Sequence, residues 1–111
     1  MAKSLSEQQM AQKLAELWEV LKPVVISQVD VIDKAAGAAL REELDEDSRR
    51  QGEDEAHKLA GSVGSFGFDR GSSVAREIER ILKSAAPVDQ AQRLSQLAAE
   101  LRQELNGNIK T

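Results

Sequence analysis

The chain has 111 residues, enough for one domain around one modest core and too few for a two-lobed catalytic architecture. It has no cysteine, which removes disulfide frameworks and thiolate metal sites and permits a reducing compartment. The net charge is −4 and no Lys/Arg stripe is concentrated anywhere, which argues against nucleic-acid binding and leaves protein as the expected partner.

Ala, Leu, Glu, Gln, Arg and Lys dominate while aromatic and β-branched residues are scarce, so the expected fold class is all-α. Ser6, followed three residues later by Gln9, can cap a first helix carrying Met10, Leu14, Leu17, Trp18 and Leu21 at three- and four-residue spacing. Trp18 in that row reads as a packing residue. Pro23 suits the first turn of a new helix, so the pattern predicts a break there and a second helix to about Leu44 through Val25, Val29, Ile32, Ala36, Ala39 and Leu40. Residues 41–55 hold eight acidic side chains against three arginines, a solvated helix end, a connection and the start of a third helix, with Asp47 or Ser48 as its cap. The third helix carries Ala56, Leu59, Val63 and Phe66 and is predicted to end near Gly67, where a left-handed closing residue costs glycine least. Asp69 and Ser72 are cap candidates for a fourth helix with Val74, Ile78, Ile81 and Leu82. After Pro87 a fifth uses Ala91, Leu94, Leu97, Leu101 and Leu105 and stops at Asn106-Gly107. The expected architecture is an antiparallel four-helix bundle with an additional N-terminal helix packed at one end, one domain over residues 1–111 with frayed ends. No cationic segment leads into an apolar stretch and no apolar run approaches the roughly 20 residues of a membrane span, so a soluble, cytoplasmic protein without a membrane role is expected.

His57 is the only histidine. With His57 at zero on a helical wheel, the apolar residues of the third helix gather near roughly 215°, while Gly61 falls at about 40°, Gly64 at about 340° and Ala60 at about 300°. The imidazole therefore stands among residues with almost no side chain. Each helical glycine costs about 0.8 to 1.0 kcal/mol relative to alanine, which asks for a compensating reason. One reason is close approach of another surface to His57; the other is that the helix ends near Gly61 and the glycines are caps and turns. One histidine cannot supply the usual imidazole pair of a metal site and the acidic run has no EF-hand pattern, so no metal is expected.

The run Ala56-His57-Lys58-Leu59-Ala60-Gly61-Ser62-Val63-Gly64-Ser65-Phe66-Gly67 resembles the signature helix of bacterial histidine phosphotransfer (HPt) domains, and the resemblance extends to the helix count and to the motif's place on the second bundle helix. It implies that His57 accepts a phosphoryl group on Nε2 from a receiver-domain aspartate and passes it to another receiver, without autonomous kinase activity. Imidazole chemistry agrees, since a neutral ring is available near pH 7 and is nucleophilic without a dedicated base. The implied partners are response-regulator receiver domains and a hybrid sensor kinase, the chain itself being a monomer. The implied cofactor is none, Mg²⁺ residing on the receiver alone. Ala60, Gly61, Gly64 and Ser65 would form the receiver docking face. Lys58 could bring its ammonium to the phosphoryl oxygens, or be a solvated lysine about 100° away from His57. Many family members carry a lysine three residues after the histidine, where this chain has Ala60. Glu79 matches the family position, often glutamine, that hydrogen-bonds the other ring nitrogen; alternatively it makes helix-surface pairs, as Arg76, Glu77 and Arg80 do. Two other readings stand beside this one. A non-catalytic helical module could bind receivers or kinases, and a small enzyme could use His57 as a general base, although no substrate-pocket signature accompanies it.

Overall fold

The computed structural model describes residues 6–107, so the expected fraying of the chain ends falls outside the described residues. Four α-helices follow one another: α1 Glu7–Leu40, α2 Glu46–Ser65, α3 Asp69–Lys83 and α4 Ala91–Leu105, with a 3₁₀ turn at Pro87–Gln90 leading into α4. Short connections force an up-down-up-down order, and the helices pack around a ring, α1 on α2, α2 on α3, α3 on α4 and α4 on α1. Apolar rows at helical spacing meet in the middle: Val25, Val29 and Ile32 from α1, Leu59 and Val63 from α2, Ile78, Ile81 and Leu82 from α3, and Leu94, Leu97, Leu101 and Leu105 from α4 are all buried. The expected all-α bundle is found.

The expected break at Pro23 is not. α1 runs unbroken through it, so the N-terminal helix is the first half of a 34-residue element rather than a separate one. A proline inside a helix forfeits one backbone hydrogen bond at roughly 3 kcal/mol. Pro23 itself faces solvent, whereas Trp18 before it and Val25 after it are both buried on the same bundle, and that burial holds the helix on one axis. The Ser6 cap with Gln9 is present in both directions, at 3.1 and 3.0 Å. α1 stops at Leu40, short of the expected Leu44, with Glu42 at φ 58° reversing the chain.

Caps differ from expectation at α2 and α3. Asp45, not Asp47 or Ser48, caps α2 by accepting the Ser48 amide at 2.7 Å. α3 has neither Asp69 nor Ser72 as its cap: it begins at Asp69 after Phe68, whose side chain has no acceptor for the first amides, and Ser72 lies within the first turns with its side chain buried. The end of α2 agrees with the sequence, Phe66 being the last half-helical residue and Gly67 taking φ +88°. Trp18 closes this end of the bundle, buried against Phe66 and Phe68 at ring separations of 5.3 and 4.7 Å and donating from Nε1 to the Gly107 carbonyl at 3.2 Å.

Candidate functional site

The α2–α3 pair is the most closely packed in the bundle and is pinned at two levels. Toward the start of α2, Arg49 donates to the Leu82 carbonyl at 2.9 Å and to Glu53 at 2.6 Å, tying α2 to the last turn of α3. Toward its end, the buried Ser72 hydroxyl donates to the Ala60 carbonyl at 2.6 Å. Ser72 is polar and enclosed, and that bond satisfies it. His57 and Glu79 face each other between these two ties.

His57 stands outward, its side chain 74% exposed, and its Nδ1 lies 2.9 Å from Glu79 Oε2. Glu79 is only 15% exposed and is held from its other side by Lys83 Nζ, 3.4 Å from the same oxygen. A carboxylate only accepts hydrogen bonds, so this contact puts the imidazole hydrogen on Nδ1 and leaves the Nε2 lone pair facing solvent. The ring is thereby oriented by a side chain that is itself fixed. The pairing reading of Glu79 and the orienting one meet here: Glu79 does pair along its own helix, and the same oxygen reaches His57.

The small residues around His57 divide into two kinds. A Cβ added at Gly61 would meet nothing within 4 Å, and Gly61 and Ser65 are exposed one and two turns along from His57. This is open ground on the outer face of a helix, not a helix end, since α2 continues to Ser65. Gly64 differs, because its Cβ would come within 3.3 Å of Ser72 Oγ; its lack of a side chain serves the approach of α3. Ala60 is buried, so it forms the floor rather than the face expected of it. The wheel positions of about 300° and 340° point to the α3 flank, and a wheel for one helix carries no record of where its neighbours stand. Beyond Gly61 and Ser65 a shallow groove continues along α3 past Ser73 to the exposed Arg76.

Lys58 is not beside the imidazole. Its Nζ lies 3.5 Å from Glu55 and its stem lines a groove against α1. Arg76 makes no ion pair among the described residues, whereas Arg80 reaches Glu77 at 3.7 Å. Sequence reasoning missed Lys83 and Ser73. The i, i+4 spacing of Glu79 and Lys83 was a usable signal for the first; Ser73 carried none. Among the described residues no group of three or more His, Cys, Asp or Glu is gathered in metal-binding fashion, and no helix is long and apolar enough to cross a membrane.

A family model for the Hpt domain matches residues 8–107. The chain belongs to the Hpt domain family. No curated protein and no solved structure gave a match to it. Hpt domains are helical bundles that carry phosphoryl groups in two-component signalling and are not kinases.

Proposed function

We propose that this Hpt domain takes a phosphoryl group on His57 Nε2 from the aspartyl phosphate of one receiver domain and yields it to the aspartate of another. The observation that carries the reading is the 2.9 Å contact between His57 Nδ1 and Glu79, on a ring otherwise open to solvent beside Gly61. In the forward step the Nε2 lone pair attacks phosphorus, the bond from phosphorus to the aspartyl oxygen breaks, and the aspartate leaves as carboxylate. The ring becomes a phosphoimidazolium whose positive charge develops about 3 Å from Glu79, where a fixed carboxylate stabilises it without reorganising. Return of the phosphoryl group to an aspartate is the same step reversed.

No base is needed, since the attacking nitrogen carries no hydrogen. Transfer otherwise calls for in-line placement and neutralisation of the phosphoryl oxygens. Placement comes from the bare surface at Gly61. The Mg²⁺ and lysine that meet the phosphoryl oxygens belong to the receiver, so this chain needs no cofactor of its own. Lys58 would have to leave Glu55 to contribute. Receiver domains, and through them a hybrid sensor kinase, are the partners, in the cytoplasm.

The test is profiling against a panel of receiver domains from the same cell, each phosphorylated and mixed with this chain. An acid-labile, base-stable label on the chain, lost in His57→Gln, is the expected result. Receiver binding without any label would make the chain a non-catalytic scaffold and overturn the reading.

A further inference from the structure

Of the eight arginines, seven lie within 3.7 Å of a carboxylate, and Arg76 is the exception among the described residues. Its neighbours explain this: Glu77 is shared by Arg80 and Arg93, and Glu79 holds His57 and Lys83. An exposed guanidinium, all donors and no acceptor, is thus left without a partner beside the imidazole. The contacts between α2 and α3 fix its height. Glu79 meets His57 and Ser72 meets Ala60, so Arg76, between Ser72 and Glu79 on α3, is level with the stretch from His57 to Ala60, within about one helical turn of the ring. On the wheel of α3 it stands about 40° from Ser72 and about 60° from Glu79, both of which face α2. It therefore lies at the outer edge of the α2 side. There it forms one rim of the shallow groove whose opposite wall, nearest His57, is Ala60 and Gly61, with nothing longer than a methyl group.

We propose that Arg76 is the cation that holds the phosphoryl group on His57 while the chain carries it from one receiver to the next, an inference that rests on His57 as the acceptor. A phosphoryl group on Nε2 brings about −1.5 to −2 of charge and three acceptor oxygens to the outer face of α2. In the docked complex the receiver's Mg²⁺ and lysine meet those oxygens, and both depart with the receiver. The cations left on this chain are then few. Lys83 is turned to Glu79 on the far side of the ring, and Lys58 is drawn to Glu55 on the α1 flank. Arg76 alone is both uncommitted and at the right height. Its stem can lie along the small-residue wall while the planar fork takes two phosphoryl oxygens side by side. Losing the group to water breaks the bond from phosphorus to Nε2, leaves its electron pair on the ring and joins phosphorus to the water oxygen, giving inorganic phosphate. In a loose transition state the phosphoryl oxygens surrender negative charge as that bond breaks. A guanidinium on them therefore binds the phosphohistidine more tightly than the transition state, and the loss slows. An exposed, unpaired arginine also yields readily when the next receiver brings its own cations.

The test needs no receiver. The full chain is labelled on His57 with phosphoramidate, the donor is removed, and the lifetime of the phosphohistidine is followed by phosphorus NMR. Arg76→Gln should shorten that lifetime roughly threefold to tenfold, the range of a bidentate charge-assisted contact at an exposed site, and Arg76→Lys should fall between the two. Thermal melts should not move, since Arg76 is exposed and bonds to nothing in the bundle. Arg70→Gln, which removes the same charge from the opposite side of α3, should leave the lifetime unchanged. Raising salt from about 0.05 to about 1 M should shorten the lifetime of the unmutated chain and leave that of Arg76→Gln flat. An unmutated lifetime in labelled Arg76→Gln overturns the proposal, and if the same variant transfers slowly from receivers, Arg76 belongs to docking instead. Equal shortening by Arg70→Gln overturns it too, because net charge alone then sets the lifetime. An unmutated chain that takes no label on His57 fails at the acceptor and overturns both readings, whereas an unchanged lifetime overturns this one alone.

Discussion

Gly61 and Gly64 are three residues apart on one helix, and the structure predicts opposite responses to the same substitution. At Gly61 a leucine side chain enters open solvent, so stability rises by the propensity difference, about 0.5 to 0.9 kcal/mol, or several degrees in thermal midpoint for a domain of this size. The side chain then stands one turn from His57 on the outer face. A receiver held off by about 1 Å loses on the order of 100-fold in transfer rate, because the acceptor nitrogen must come within about 3 to 3.5 Å of phosphorus. At Gly64 the first added carbon already lies 3.3 Å from Ser72 Oγ, and the rest of a leucine would wedge α2 from α3 and strain the Ser72–Ala60 bond. Overpacking of that kind costs about 1 to 3 kcal/mol, more than the gain in propensity. Paired thermal melts and single-turnover transfer from a phosphorylated receiver read both effects. Labelling by a small phosphodonor such as phosphoramidate controls for the intrinsic reactivity of His57, and Gly61→Leu should leave it intact. If Gly61→Leu transfers from receivers at the unmutated rate, the open face of α2 is not where the receiver approaches. If Gly64→Leu melts higher than the unmutated chain, Gly64 does not serve helix contact.

Three further outcomes follow from named contacts. His57→Gln should abolish labelling from receivers and from small phosphodonors alike, with a stability change within about 0.5 kcal/mol, because the side chain is outside the core; retained label would place the acceptor elsewhere. Glu79→Ala should slow transfer about tenfold without stopping it, since it removes the orienting and charge-compensating partner but not the nucleophile; an unchanged single-turnover rate would return Glu79 to its pairing with Lys83 alone. The Asp45 carboxyl is held below its ordinary value of 3.8 chiefly by the Ser48 amide, so its stabilisation is complete above that value and is lost as the pH falls through and below it. Asp45→Ala should therefore melt lower than the unmutated chain at neutral pH, with the gap closing in acid; a gap that persists below the folded-state titration would mean that the charge is not what caps α2.

The helical rows, the Ser6 cap, the turn at Gly67 and the role of Trp18 were legible because each depends on residues close in sequence: period, cap spacing, a tolerated φ. The break at Pro23 was misread for the converse reason. Proline's local penalty is real, yet it is offset by packing of Trp18 and Val25 onto helices that are far away in sequence. The cap of α2 falls two residues before the expected Asp47 because the Asp45 carboxylate takes the Ser48 amide, and Ser72 caps nothing because it lies inside α3 with its hydroxyl claimed by the Ala60 carbonyl across the bundle.

At the candidate site the outward direction of His57 could be read from one helix, because it depends only on where the apolar row lies. The division of labour between Gly61 and Gly64 could not, because it depends on the flank that α3 occupies. The same limit explains Glu79. Spacing within α3 offers it Lys83 and gives no reason to prefer His57, and only the depth at which α2 and α3 are tied, through Arg49 at one end and Ser72 at the other, brings the two side chains level. Those ties lie on either side of the imidazole and touch neither it nor Glu79. Loosening either one should therefore act on transfer through the His57–Glu79 contact, so that Ser72→Ala combined with Glu79→Ala slows the reaction no more than Glu79→Ala alone. Rate losses that instead multiply would show that Ser72 supports the receiver's approach by a route other than the orientation of the ring.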